Sequence, residues 1–229
     1  MFPSKPPPMK TLLLDFGGTL DADGVTWLER FFPLYLQAGV SASREEFDKA
    51  FYAADDDLSK KHALSGLGFE ETLRLQVQTV LGTLAPGRAG LGDGILRKFL
   101  DDCRSHFRRN RPVLERLRRG RRLGIVSNYY GNLESCLRAE GIRDLFDFVA
   151  DSGAVGSEKP APDIFLAALR GLGSTVAQAL MVGDSIPRDM RGAEGLGLAH
   201  AWISPNGTAP CCPEAWRISS LLELEARLG

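Results

Sequence analysis

No apolar run in this sequence approaches the ~20 residues that a bilayer-spanning helix needs, which excludes a chain built on membrane helices. An excess of one charge is also missing. Lys and Arg number 28 against 29 Asp and Glu, a net charge of −1, so no global field draws in nucleic acid or an anionic surface. Histidine is scarce: His62, His106 and His200 have no second His or Cys at ligand spacing, which argues against a zinc site. The four cysteines, Cys103, Cys136 and the adjacent Cys211 and Cys212, form no disulfide framework and are expected as free thiols of a cytoplasmic protein. The opening MFPSKPPPMK has no apolar core of a signal peptide and reads as a short extended leader over residues 1–9.

What is present is ordinary for a globular chain: 229 residues, 44% hydrophobic and 25% charged. That length allows one sizeable core, or a core with a smaller inserted domain. Five short apolar runs read as buried strands: 11-TLLLDF-16, 122-RLGIVSN-128, 146-FDFVAD-151, 179-ALMVGDS-185 and 199-AHAWIS-204. Helical patterns such as 131–141 and 162–173 lie between the last four. Alternation of this kind makes a doubly wound, Rossmann-like α/β fold, a parallel sheet with helices on both faces.

The first interval breaks the rhythm. Residues 25–39, 43–62, 69–82 and 94–107 all carry helical periodicity, and Ser43 with Glu46 forms a capping box opening the second. The expected organisation is an α/β core from residues 10–23 and 106–229, with an all-helical cap at 24–105 over the strand ends. In open sheets of this type the ligand binds beyond the carboxyl ends of the strands.

Those ends are rich in functional groups. Strand one delivers Asp15, strand two Ser127 and Asn128, the loop after strand three Lys159, and strand four Asp184 and Asp189. Carboxylates gathered at one point repel one another, and a hard cation such as Mg²⁺ relieves that repulsion while keeping room for phosphate oxygens. Ser127 and Lys159 are then donors to those oxygens, and Asp15 is placed to attack phosphorus. Lysine is rare here, 7 against 21 arginines, so Lys159 ahead of a proline points to a compact charge being wanted.

With these residues in place the chain resembles the haloacid dehalogenase superfamily, in its branch with a helical cap after the first strand. DFGGTL, IVSN, EKPAPDIF and GDSIPRDMRGAEGLG stand in the order of that family's four signature blocks, over about residues 10–204. The chain order of the elements gives strand order 3-2-1-4-5, and the resemblance implies Asp15 as nucleophile. It implies Ser127, Lys159, Thr19 and Asn128 around the transferred group, with Mg²⁺ at Asp15, the Gly17 carbonyl and Asp184. Asp189 would support the metal or Lys159. The ligand would be a small phosphorylated molecule.

Gly17 departs from the pattern, because the family's phosphatases usually carry an Asp there to protonate the leaving oxygen, a role worth roughly 10²–10⁴-fold. Four readings follow. The substrate has a good leaving group (an acyl phosphate, a phosphoanhydride or an aryl ester), or another acid substitutes: Asp21, Asp23, or Glu29, 55-DDD-57 and His62 of the cap. Alternatively the bond cleaved is carbon–halogen or carbon–phosphorus, or the protein binds a phospho-ligand with little turnover. Dehalogenases of the family usually have neutral residues in the fourth block, so Asp184 and Asp189 favour the metal-dependent phosphatase.

Other features have plainer readings. The run 104–122 holds nine arginines and is expected as a solvated helix face balanced by acids. The 55-DDD-57 run is expected as cap surface, and Trp27, Phe31, Phe32 and Tyr35 mainly as cap core, with one or two of them facing the cleft to shape specificity. Tyr129 and Tyr130, directly after the phosphate-binding pair, divide evenly between packing and substrate contact.

Overall fold

The computed structural model describes residues 9–205, 212 and 215–229; most of the proline-rich leader and Cys211 lie outside them. Six strands form one parallel sheet: β1 (Thr11–Leu14), β2 (Arg122–Ser127), β3 (Phe148–Asp151), β4 (Ala179–Gly183), β5 (Ala199–Ile203) and β6 (Trp216–Ile218), in the order β3-β2-β1-β4-β5-β6. The expected order holds, with β6 added beyond β5.

β1 sits at the centre, and all four of its residues are buried. Successive side chains of a strand point to opposite faces. Leu12 and Leu14 accordingly join one apolar cluster with Leu180 and Val182 of β4, while Leu13 and Met181 join the other. The first face is covered by α4 (Gly92–Leu117), α5 (Leu133–Ala139) and α9 (Leu221–Leu228). The second carries α6 (Ser152–Val155), α7 (Pro162–Gly171) and α8 (Arg191–Gly195).

Between β1 and β2 stand α1 (Trp27–Gln37), α2 (Arg44–Lys61), α3 (Phe69–Leu84) and then α4. The capping box is formed, with Glu46 Oε2 accepting from Ser43 N at 2.8 Å and Ser43 Oγ from Glu46 N at 3.2 Å. α4 is one 26-residue helix passing through Pro112, so the 105–106 position lies inside it. One apolar cluster runs from these helices into the sheet. Phe16, just past β1, meets Phe69 of α3 at 5.5 Å and stacks on Phe107 of α4 at 5.9 Å between ring centroids.

Seven of the nine arginines in the run meet acids or carbonyls. Arg104 pairs with Glu140, Arg109 with Asp23, Arg111 with Asp144, Arg116 with Glu225 and Arg118 with Asp147, while Arg121 and Arg122 donate to backbone carbonyls. Among the described residues no helix is long and apolar enough to cross a membrane. Cys103 and Cys136 are buried free thiols.

Candidate active site

β1 ends against β4, where Asp15 N donates to Val182 O at 2.9 Å, and this brings the Asp15 carboxylate beside the loop that follows β4. Lys159 Nζ stands between two acids, 2.7 Å from Asp15 Oδ1 and 2.7 Å from Asp189 Oδ1. Asp184 Oδ1 accepts from Thr19 Oγ1 at 3.0 Å, and Asp189 Oδ2 accepts from Ser185 N at 2.9 Å. One oxygen each from Asp15, Asp184 and Asp189 lies within 4.8 Å of the others.

Burial, reinforced by the charges of Asp15 and Asp189, raises the Asp184 carboxyl well above the usual carboxylate range; the Thr19 hydroxyl and Lys159 only partly oppose this. Burial likewise pushes Asp189 up to about 6, against the pull of Lys159. Lys159 is itself buried, which works against its charge, yet Asp15 and Asp189 hold its pKa above the ordinary lysine value. The cluster holds one cation among three acids, and that imbalance is what a divalent cation would correct.

Ser127 closes β2, is almost fully buried, and lines the same cavity as Asp15. Asn128 also lines it, but both ends of its amide are engaged with Lys159. Nδ2 donates to Lys159 O at 3.0 Å and Oδ1 accepts from Lys159 N at 2.7 Å. Asn128 therefore fixes the segment that carries the lysine. Asp151 and Ser152, which sequence reasoning passed over, hold the loop after β2. Asp151 accepts from Gly131 N, Leu133 N and Gly153 N, each at 2.9 Å, and Ser152 Oγ accepts from Tyr129 N at 2.9 Å.

The two glycines after Phe16 have different physical causes. Gly18 has φ +86°, and a Cβ there would come 2.5 Å from Asp184 Oδ2, so only glycine fits. Gly17 has no positive φ. What faces it is Trp27, whose Nε1 would lie 3.0 Å from an added Cβ. The indole fills the space beside the missing acid, and its Nε1 donates to Asp21 Oδ2 at 2.7 Å.

That bond removes Asp21 from the acid's role. Asp21 is fully buried and also accepts from Gly18 N at 2.6 Å and Arg30 Nη1 at 2.9 Å. Asp23 forms a two-pronged pair with Arg109 at 2.7 Å, and Glu29 pairs with Arg44. Asp21, Asp23, Glu29 and His62 are all absent from the cavity wall.

Asp55 is the exception. The expectation of a solvated 55-DDD-57 surface fails at this residue, because Asp55 lines the cavity with its Oδ1 bonded to the Tyr130 hydroxyl. Asp56 is exposed, and Asp57 pairs with Lys61 at 2.7 Å. Trp27 is the one of the four aromatics that faces the cleft, lying on the wall and touching the core. Tyr129, although largely buried, and Tyr130 both line the wall. The cavity is about 280 Å³, bounded by the strand ends on one side and by α1 and α2 on the other.

A parallel sheet that collects its acids at the carboxyl ends of β1 and β4, with helices inserted after β1 on the other side of the cavity, defines a doubly wound α/β protein with a carboxylate site. Residues 9–197 match the family model of the haloacid dehalogenase-like hydrolases, and the chain belongs to that family. It is 36% identical over 124 residues to pyrimidine 5'-nucleotidase YjjG of Escherichia coli, a match covering 51% of this chain and 53% of that protein. The matched stretch thus spans about half the length of that relative. Among solved structures, a HAD phosphatase from Thermococcus onnurineus superposes with TM-score 0.59 at 27% identity, covering 96% of this chain and 98% of the other. A 2-haloacid dehalogenase from Pseudomonas syringae pv. tomato does so with TM-score 0.56 at 26% identity, also covering 96% and 98%.

Proposed function

We propose that this hydrolase is a Mg²⁺-dependent phosphatase that uses Asp15 as nucleophile on a small phosphorylated molecule with a good leaving group. The observation that carries the reading is the cluster itself: three carboxylates within 4.8 Å of one another around a single buried lysine. The donor set is all oxygen and anionic, as Mg²⁺ prefers. Asp15, Asp184 and the Gly17 carbonyl would hold the ion, with Asp189 supporting it through its place beside Lys159. Bound there, the cation would supply positive charge to the phosphoryl oxygens and relieve the repulsion among the acids.

The remaining chemistry falls to the chain. Asp15 attacks phosphorus in line with the departing oxygen, forming an aspartyl-phosphate. Lys159 Nζ and the Ser127 hydroxyl hold non-bridging oxygens, Thr19 keeps Asp184 oriented, and Asn128 fixes the Lys159 backbone. Water then attacks the aspartyl-phosphate and restores Asp15. No carboxyl stands at position 17 to protonate the leaving oxygen, and Asp55 on the wall is engaged by the Tyr130 hydroxyl, so the group departs as a stable anion. The helical insertion acts as a cap whose movement admits substrate and excludes water. Buried thiols at Cys103 and Cys136 suit a cytoplasmic setting.

A dehalogenase would leave the Asp184 and Asp189 carboxylates without a task, which favours the phosphatase. The test is hydrolysis, in single turnover and steady state with Mg²⁺, of an acyl or aryl phosphate against an alkyl phosphate, with Asp15→Asn as the blank. Turnover of the first, little of the second and none by the variant is the expected result. Activity at the level of the blank on both would leave a binding role, or another bond, in its place.

A further inference from the structure

Three classes of phosphate have weakly basic leaving groups: acyl phosphates, phosphoanhydrides and aryl esters. The cavity wall discriminates among them. Trp27 of α1, Tyr52 of α2 and Tyr130 of the loop after β2 all face the space beside Asp15. Two of these rings are fixed from behind. The Trp27 indole is held by Asp21 at 2.7 Å and packs edge-on against Phe16 and Tyr129, with centroids at 6.4 and 6.3 Å. The Tyr130 hydroxyl is bonded to Asp55, and its ring lies 4.7 Å from that of Tyr129. Tyr52, 50% exposed, stands at the mouth.

Rings fixed in this way offer a flat ligand area at little ordering cost. An acyl group as small as acetyl would leave most of that surface bare. A phosphoanhydride would bring in a second phosphate, and among the described residues the cavity wall offers it two cations. Lys159 is engaged by two acids, and Arg188 is exposed to solvent, with its charge acting on Asp55. Asp55 on this wall would repel the second phosphate further.

We propose that the substrate is a small aryl phosphate whose ring lies against Trp27 and Tyr130, with Tyr52 at the mouth and the phosphoryl group at Asp15. The proposal rests on the phosphatase reading for where the phosphate sits. It also joins two observations made separately. The indole that occupies the space of the missing acid supplies the ring surface, and an aryl oxide is a leaving group that does not require that acid. As the bond from phosphorus to the aryl oxygen breaks, its electron pair leaves on that oxygen, which takes its proton from water. The new phosphorus–oxygen bond is to Asp15, and a second water releases inorganic phosphate and restores the carboxylate.

The test separates binding from turnover. Titration calorimetry with phenylphosphonate and with methylphosphonate, both in Mg²⁺, reads the ring's contribution without any reaction. Phenylphosphonate is expected to bind at least about tenfold tighter, with Tyr52→Ala losing about threefold to tenfold of that preference, the worth of one aromatic contact. Tyr52 is half exposed, so its removal leaves the fold intact. Equal binding of the two phosphonates overturns the aryl assignment whatever the enzyme hydrolyses. In parallel, an aryl and an acyl phosphate with leaving groups of matched pKa are compared by kcat/KM, and a clear aryl preference is expected. An acyl preference overturns the assignment while leaving the phosphatase intact. Absence of turnover on both, with selective phenylphosphonate binding retained, removes the phosphatase and keeps the aromatic pocket.

Discussion

Gly17 and Trp27 form a single unit at the scale of the residue. Sequence alone suggests that restoring Asp at position 17 restores proton donation, because the phosphatases that the chain resembles usually carry Asp there. The structure adds the obstacle: an added Cβ would meet Trp27 Nε1 at 3.0 Å, and that nitrogen is committed to buried Asp21. Forcing a side chain into filled space costs about 1–3 kcal/mol. Gly17→Asp alone is therefore expected to lower the melting temperature and leave alkyl phosphates uncleaved. The double variant Gly17→Asp/Trp27→Leu opens room for the carboxyl and is expected to gain alkyl phosphatase activity over the single one, up to the roughly 10²–10⁴-fold that an acid provides. Rescue by the single substitution would show that the indole moves aside freely. The indole's place was not legible in the sequence, because a tryptophan ten residues beyond Gly17 carries no signal of which way its ring turns.

Secondary-structure elements were the most legible level. β1 to β5 announce themselves as apolar runs ending in polar residues, and the helical spans fall close to their expected limits except α4, which continues past residue 107 to Leu117. β6 escaped because it has three residues with exposed Arg217 in the middle, too short for either periodicity. α2 shows the other limit. Its Asp55 reads as one of three surface acids, but the contact that draws it inward is to Tyr130, 75 positions away. Burial raises the Asp55 pKa; the Tyr130 hydroxyl and Arg188 oppose this and Asp56 adds to it. The folded state thus favours protonated Asp55 more than the unfolded chain does. That stability is full below the unfolded value near pH ~4 and is lost as pH rises through the higher folded value. Asp55→Asn cannot titrate. Its melting temperature relative to the parent is expected to improve as pH rises through that window, by about 3–5 °C for each tenfold difference in proton affinity. A difference that stays flat with pH would place Asp55 in water.

Across the whole molecule, the acids of the site are legible because topology forces them together. Any parallel sheet whose first and fourth strands are neighbours brings Asp15 and Asp184 to one edge, whatever the side chains do elsewhere. What remains hidden is the balance of charge there, which depends on Lys159 reaching two acids at 2.7 Å and on the burial of Asp15, Lys159 and Asp189. A fold that holds three such acids within 4.8 Å carries repulsion that the unfolded chain does not. Mg²⁺ binding only to the folded state would add about 2.7 kcal/mol at a hundred times its dissociation constant, which for a chain of this size raises the melting temperature by about 5–10 °C. Chelation is expected to reverse the rise. Asp184→Asn removes one of the repelling charges and replaces one of the carboxylates proposed to hold the metal. Without Mg²⁺ it is expected to melt no lower than the parent, and with Mg²⁺ it is expected to show a much smaller rise. If the variant instead melts far below the parent without metal, the Asp184 carboxylate stabilises the fold through its Thr19 bond, and charge repulsion is not what the cation relieves.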